Sequence, residues 1–234
     1  MSNASFVGRT RLAGNVNLCT IHNICGNIPP NLSLKEIYEY AFPHNKIPKD
    51  VYDYRRKNLT NIFRGLKKII AARLLNVAHF YGRLGLTIIS NDGRMIPLGI
   101  VSFRVVTTAG VNFIATRLND GATTIGNFDF HGFGTGVVAE AVGDVGLGTE
   151  LTTQYATDNT RPTGTPSNPS ANVYQSVGTV SPDTGGTIAI TEHGLFSASS
   201  GVTLLDRTVF SAVNLVAGSD SLQATYQLTV SAGG

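Results

Sequence analysis

The chain has 234 residues, 42% of them hydrophobic and only 14% charged, with 26 glycines and two cysteines. At that length folding buries roughly 70% of the unfolded surface, so one large domain, or a small and a moderate one, needs no disulfide or metal staple. The net charge of +3 is divided unevenly: residues 1–120 carry 16 Lys+Arg against 6 Asp+Glu (+10), residues 121–234 two Arg and no Lys against 9 Asp+Glu (−7). This composition excludes general disorder, and the split predicts a basic part that meets something acidic.

Residues 1–31 read as an extended arm, rich in Asn and Gly and ending in "GNIPPN", where two prolines oppose regular structure. Its start lacks the apolar core of a signal peptide, and no run approaches the roughly 20 apolar residues of a membrane-spanning helix. Synthesis in a cytoplasm, with retention or assembly there, is the expectation. Cys19, His22 and Cys25 in "CTIHNIC" suggest zinc, but structural zinc takes four ligands and no second Cys pair exists; the next histidine is His44. Reduced, packed thiols are the reading, with a local disulfide only in an oxidising compartment. No cofactor or metal is expected.

A helix is predicted from Ser33, where "SLKE" forms a capping box between Ser33 and Glu36, and it stops before Pro43. A second is predicted from about Lys49 to Phe80, with a break near Gly65 and apolar residues at three- and four-residue spacing. Its polar side is basic, and no acidic residue lies between Asp53 and Asp92. Arg9, Arg11, Arg55, Arg56, Lys57, Arg64, Lys67 and Lys68 are therefore the candidate partner-contact residues. A cationic face can dock on an acidic protein, neutralise phosphates or simply be solvated. No helix-turn-helix, zinc-finger or ribonucleoprotein motif is present, so nucleic acid is not the expected partner. His79, near the end of this helix, reads as a C-terminal cap.

From Leu84 the apolar period becomes two. "LGLTIIS", "MIPLGIVSFRVVTT" and "VNFIAT" are read as strands, the first two joined by the turn "SNDGR". Further strands are expected at "NVYQSVGTV", "GTIAITEHGLF", "TLLDRTVFSAVNL" and "SLQATYQLTV", and a long polar loop at "DNTRPTGTPSNPSANV". The fold class expected is α+β: an arm over 1–31, a helical basic anchoring region over 32–83, and an antiparallel β-sandwich of jelly-roll type over 84–234.

Sequence chemistry is sparse. "HGFGTG", His131 to Gly136, departs from dinucleotide spacing, lacks a Walker lysine, and reads as backbone flexibility at a domain junction. There is no nucleophile elbow and no H-E-x-x-H, and the five histidines lie in unlike contexts. The pair Glu192 and His193 in "ITEHGLFS" could be half of a catalytic site or a corner between strands.

The C-terminal residues decide between these. Thr191, Glu192, Gly194, Leu195 and Phe196, then Leu204, Arg207 and Phe210, then Leu222, Thr225, Tyr226, Leu228 and Thr229 follow "T-E-x-G-L-F", "L-x-x-R-x-x-F" and "L-x-x-T-Y-x-L-T". This pattern resembles the C-terminal strands of tailed-bacteriophage virion structural proteins, and the likeness extends over most of residues 30–234. One departure is "GSDS", where Ser219 separates Gly218 from Asp220. The resemblance implies a non-enzymatic virion component: a capsid decoration (cement) protein on the capsid surface, assembled in the host cytoplasm, or otherwise a neck or tail adaptor or short fibre. It implies the major capsid protein or other virion proteins as partners and a homo-oligomer, a trimer favoured, with no membrane. Glu192, Gly194 and Arg207 are then a structural corner: glycine permits the bend, and Glu192 accepts backbone amides or meets Arg207 on the neighbouring strand.

Overall fold

A computed structural model describes residues 48–75, 77–104, 106–118, 128–156, 158–201 and 203–231. The arm, with Arg9 and Arg11, the Cys19/His22/Cys25 cluster, the capping box at Ser33 and His44 lie outside the described residues, as do the side chains of Lys67 and Lys68.

The basic segment forms two helices where one, broken near Gly65, was expected: α1 (Lys49–Lys57) and α2 (Leu59–Leu74). The break is at Asn58, the C-cap of α1 at φ −90° and ψ 0°. Gly65 lies inside α2 for a steric reason, since a Cβ there would run into the backbone of Phe103. The helical reading also overran. His79 and Phe80 open strand β1 (His79–Ile89), so His79 caps no helix. An uninterrupted antiparallel ladder from His79↔Ser231 to Ile89↔Ser221 satisfies that backbone better than a further helical turn could.

The hairpin read at "SNDGR" joins β1 to β2 (Met95–Arg104), with Gly93 at φ 78° and its N–H donating to Ser90 O. "VNFIAT" is not a strand. It lies in α3 (Thr108–Leu118), which Thr107 caps by accepting the Gly110 N–H on its hydroxyl. Five more strands follow the single short one at "HGFGTG", which is β3 (Phe130–Gly134) and not a flexible junction. They are β4 (Thr165–Ser170), inside the segment expected to be only loop, then β5 (Val173–Val180), β6 (Thr187–Phe196), β7 (Leu204–Val216) and β8 (Ser221–Ser231).

The strands form two antiparallel sheets, one in the order β2-β1-β8-β5-β4 and one in the order β3-β6-β7. Alternate residues of both fill a single core. Leu84, Leu86, Val180, Leu222 and Tyr226 come from the larger sheet, and Phe133, Ile190, Leu195, Leu205 and Leu215 from the smaller. Each such side chain contributes about 2 kcal/mol on removal from water.

Side chains and turns manage the sheet edges. On β7, Val209 N–H donates to Glu140, Val209 O accepts from Asn61, Ser211 N–H donates to Asn58, and Ser211 O accepts from the Tyr54 hydroxyl. Groups from α1, α2 and the Glu140 loop thus stand where a further strand would pair. On β2, Arg55 donates to Leu98 O and Pro97 O. The outer edge of β3 bonds to residues 149–151 and to Pro162, while β4 carries Pro166 and Pro169, which remove ladder donors.

Candidate functional site: two faces of one strand

Glu192 and His193 lie inside β6, paired with Val209 and Thr208 of β7. The expected corner is therefore corrected: the chain turns beyond Phe196, where Ser197 N–H bonds to Thr203 O, and Gly194 is mid-strand opposite Arg207. What makes the motif unusual is a register shift between Ile190 and Glu192. A one-residue slip exchanges faces, so Ile190 and Leu195 both reach the core although five residues apart, and Glu192 turns outward beneath the loop 135–149.

On that outer face Glu192 is fully buried and charged. Its Oε1 accepts the amides of Gly136 (2.9 Å) and Thr149 (2.7 Å), and its Oε2 accepts Gly148 N–H (2.9 Å) and two guanidinium N–H groups of Arg207 (2.9 and 2.7 Å). Burial alone would raise this carboxyl, but the Thr149 and Gly148 amides and Arg207 outweigh it and hold it below its usual range. Arg207 continues the network to Asp144 (2.9 Å) and to Val138 O (3.1 Å). Burial opposes its charge, while Asp144 and Glu192 hold it protonated above the ordinary arginine range. Both alternatives for Glu192, amides and Arg207, are therefore realised together. The glycines of "HGFGTG" make room for this: a Cβ on Gly134 would lie 2.6 Å from Glu192 Oε1, and one on Gly136 closer still.

On the inner face His193 Nε2 lies 2.9 Å from His131 Nδ1, and His131 Nε2 lies 2.8 Å from Ser176 Oγ on β5. This chain joins the two sheets through the core. Burial pushes His131 down to about 3, and burial with the neighbouring His131 pushes His193 well below its ordinary value. Both rings are neutral at physiological pH and sealed from solvent. A third constellation holds the polar loop. Arg161 pairs with both oxygens of Glu150 (2.5 and 2.8 Å), donates to Ala198 O and Gly201 O, and stacks 3.4 Å over the Phe196 ring. Tyr155 both donates to Phe133 O and accepts Phe133 N–H through its hydroxyl.

Chemically, these groups are occupied. Glu192 has no open oxygen for a proton transfer, and the histidines face only protein. Among the described residues no cluster of three His, Cys, Asp or Glu could hold a metal ion, and no helix is long and apolar enough to cross a membrane.

The candidate contact residues are dispersed. Arg55 is turned inward onto β2, which removes it from the cationic face. Arg56 and Lys57 are exposed, and Arg64, exposed as well, pairs with Glu140 at 3.8 Å. Sequence reasoning missed Asp144, Glu150, Arg161, His131 and Ser176. A signal for Arg161 was available: it and Arg207 are the only basic residues in 121–234, and both are buried in ion pairs. No model of a known protein family matches this chain, and no curated protein matches it.

Proposed function

We propose that the protein is a non-enzymatic structural component of a bacteriophage virion, a capsid decoration (cement) protein that binds the assembled head through its basic N-terminal region. The observation that supports this reading is the use made of the residues whose pattern resembles that of phage structural proteins. Glu192 and Arg207 are saturated by internal bonds, and Gly194 packs between Leu147, Leu204 and Phe196, so the motif serves rigidity. The exposed cations of α1 and α2 supply the complementary surface for an acidic shell.

In this reading the two sheets belong to a jelly-roll-like sandwich, the arm over 1–31 grips a neighbour, and the acidic, lysine-free part faces outward. The partner is the major capsid protein, the location the capsid surface, and assembly takes place in the host cytoplasm. Binding only the assembled shell stabilises it by mass action. Capsids assembled with and without the protein provide the test. Those lacking it are expected to lose resistance to heat, and equal resistance would overturn the cement reading. Many copies spread over the head are expected in a virion map; a few copies at one vertex would reassign the chain to a neck or tail adaptor or a short fibre.

A further inference from the structure

Strand β1 holds two glycines, Gly82 and Gly85. At Gly82 the core dictates the choice, since a Cβ there would lie 2.6 Å from Asp206 Oδ2. Gly85 has no such reason. Its φ is not left-handed, and a Cβ would meet only Gly99 O at 3.8 Å and Thr225 O at 3.9 Å, ordinary contacts on the outer face of the larger sheet. A glycine that the backbone does not require weakens a strand, and such positions mark places where something else approaches closely. The β1–β2 register also shifts on either side of it, between Leu84 and Gly85 and between Leu86 and Thr87. Irregularities of this kind gather beside binding sites, where they re-aim side chains.

The missing side chain leaves a shallow cleft of about 210 Å³, open to solvent, whose lining includes Arg83, Gly85, Thr87, Pro97, Ile100 and Thr225. The five strands of the larger sheet contain no Asp or Glu, and among the described residues no carboxylate pairs with Arg83. The guanidinium is nonetheless held in place. It donates to Gln227 Oε1, Gln227 Nε2 donates to Gln175 Oε1 (2.6 Å), and Gln175 Nε2 donates to Ser167 Oγ (3.1 Å), a chain of side chains across β1, β8, β5 and β4. That anchor uses one of the five guanidinium donors and supplies no negative charge. The hydroxyls of Thr87 and Thr225 have no side-chain or backbone partner among the described residues, and Pro97 and Ile100 make one rim apolar.

The complementary ligand carries a negative charge for Arg83, hydroxyls that both donate to and accept from the threonines, and a small apolar face for Pro97 and Ile100. One pyranose ring bearing a carboxylate has all three. The cleft is smaller than the roughly 300 Å³ at which sites for drug-sized ligands begin, and its open side lets the ring stay joined to a longer chain. A phosphate group is better served by free backbone amides at a helix N-terminus, whereas the amides of β1 are spent on ladders to β2 and β8.

We infer that the cleft at Gly85 binds the terminal acidic sugar of a glycan, with the carboxylate on Arg83 and ring hydroxyls on Thr87 and Thr225. This does not rest on a virion location. The test is titration of the full chain with methyl glucuronide, an acidic sugar blocked as it is at a glycan's end, followed by amide chemical shifts. Saturable shifts at Gly85, Thr87 and Thr225 are expected, with a Kd of about 1 mM. Methyl glucoside, which lacks the charge, and acetate, which lacks the ring, are each expected to bind at least about tenfold more weakly. Gly85→Val fills the cleft with a residue that strands favour, so binding is expected to vanish while the melting temperature holds. If that variant melts early, Arg83→Gln replaces it, expected to bind methyl glucuronide about tenfold more weakly and methyl glucoside as before. No saturable shift with methyl glucuronide, acetate binding as well as the sugar, or a folded cleft variant that binds like the unchanged chain would each overturn the inference.

Discussion

Glu192 and His193 are adjacent in the chain, yet they lie on opposite faces of β6 and solve burial in opposite ways. The outer face keeps a charge and surrounds it with three amides and a guanidinium. The inner face removes the charge, leaving two neutral imidazoles bonded to each other and to Ser176. The difference follows from what packs on each side. An irregular loop has backbone N–H groups that no ladder satisfies, so a carboxylate beneath it is useful. The facing sheet has already paired its backbone, so a charge there would have no partner and neutrality is favoured.

The largest break in this comparison is Glu192→Gln. It leaves Arg207 with less compensation and removes the charge from three amides, and breaking a buried pair costs about 3–5 kcal/mol. Thermal unfolding is expected to fall by about 10 °C, at roughly 2–4 °C per kcal/mol for a chain of this size. Stability equal to the unchanged protein would show that the hub contributes nothing.

Acid separates the faces next. A histidine whose native pKa lies below its unfolded value stabilises the fold above about pH 6.5 and loses that contribution as pH falls, about 2–3 kcal/mol for His131 by pH 4.5, with His193 acting in the same direction. Glu192, also lowered, stabilises above its unfolded value and weakens only below about pH 4.5. Asp129, raised by burial, acts in the opposite sense and gains in the native state as pH falls. Denaturant midpoints are expected to decline from pH 6.5 to 4.5 and more steeply below. A flat profile between those values would contradict a neutral buried histidine pair.

Gly136→Ala sharpens the outer face alone. Its Cβ would press on Glu192, and overpacking of this kind costs about 1–3 kcal/mol, read by urea unfolding. The smallest effect on stability is expected for Arg56→Ala/Lys57→Ala, within about 0.5 kcal/mol because both are exposed. Binding to an acidic shell is where that variant is expected to fail, as a cosedimentation assay would show.

Much of the fold was readable because its signals are local. The alternation in "SLQATYQLTV" and "TLLDRTVFSAVNL" and the turn at "SNDGR" follow directly from residue types. α3 was misread because Val111, Phe113, Ile114 and Thr116 favour strands by composition, while the decisive cap at Thr107 looked like one more strand residue. β4 was missed because Pro166 and Pro169 read as loop, although an edge strand tolerates them. The hub was half legible: Arg207 was named as Glu192's partner, but the amides come from residues 136 and 148–149, more than 40 positions away. Nor does any residue pattern announce the register shift that turns Glu192 outward.

The most direct test of the hub is amide hydrogen exchange at Gly136, Gly148 and Thr149. These amides belong to no strand, yet each donates to the Glu192 carboxylate. In the unchanged protein all three are expected to exchange as slowly as the β6 ladder, and in Glu192→Gln all three are expected to speed up together. Rapid exchange at these amides in the unchanged protein would contradict a loop anchored on a buried charge.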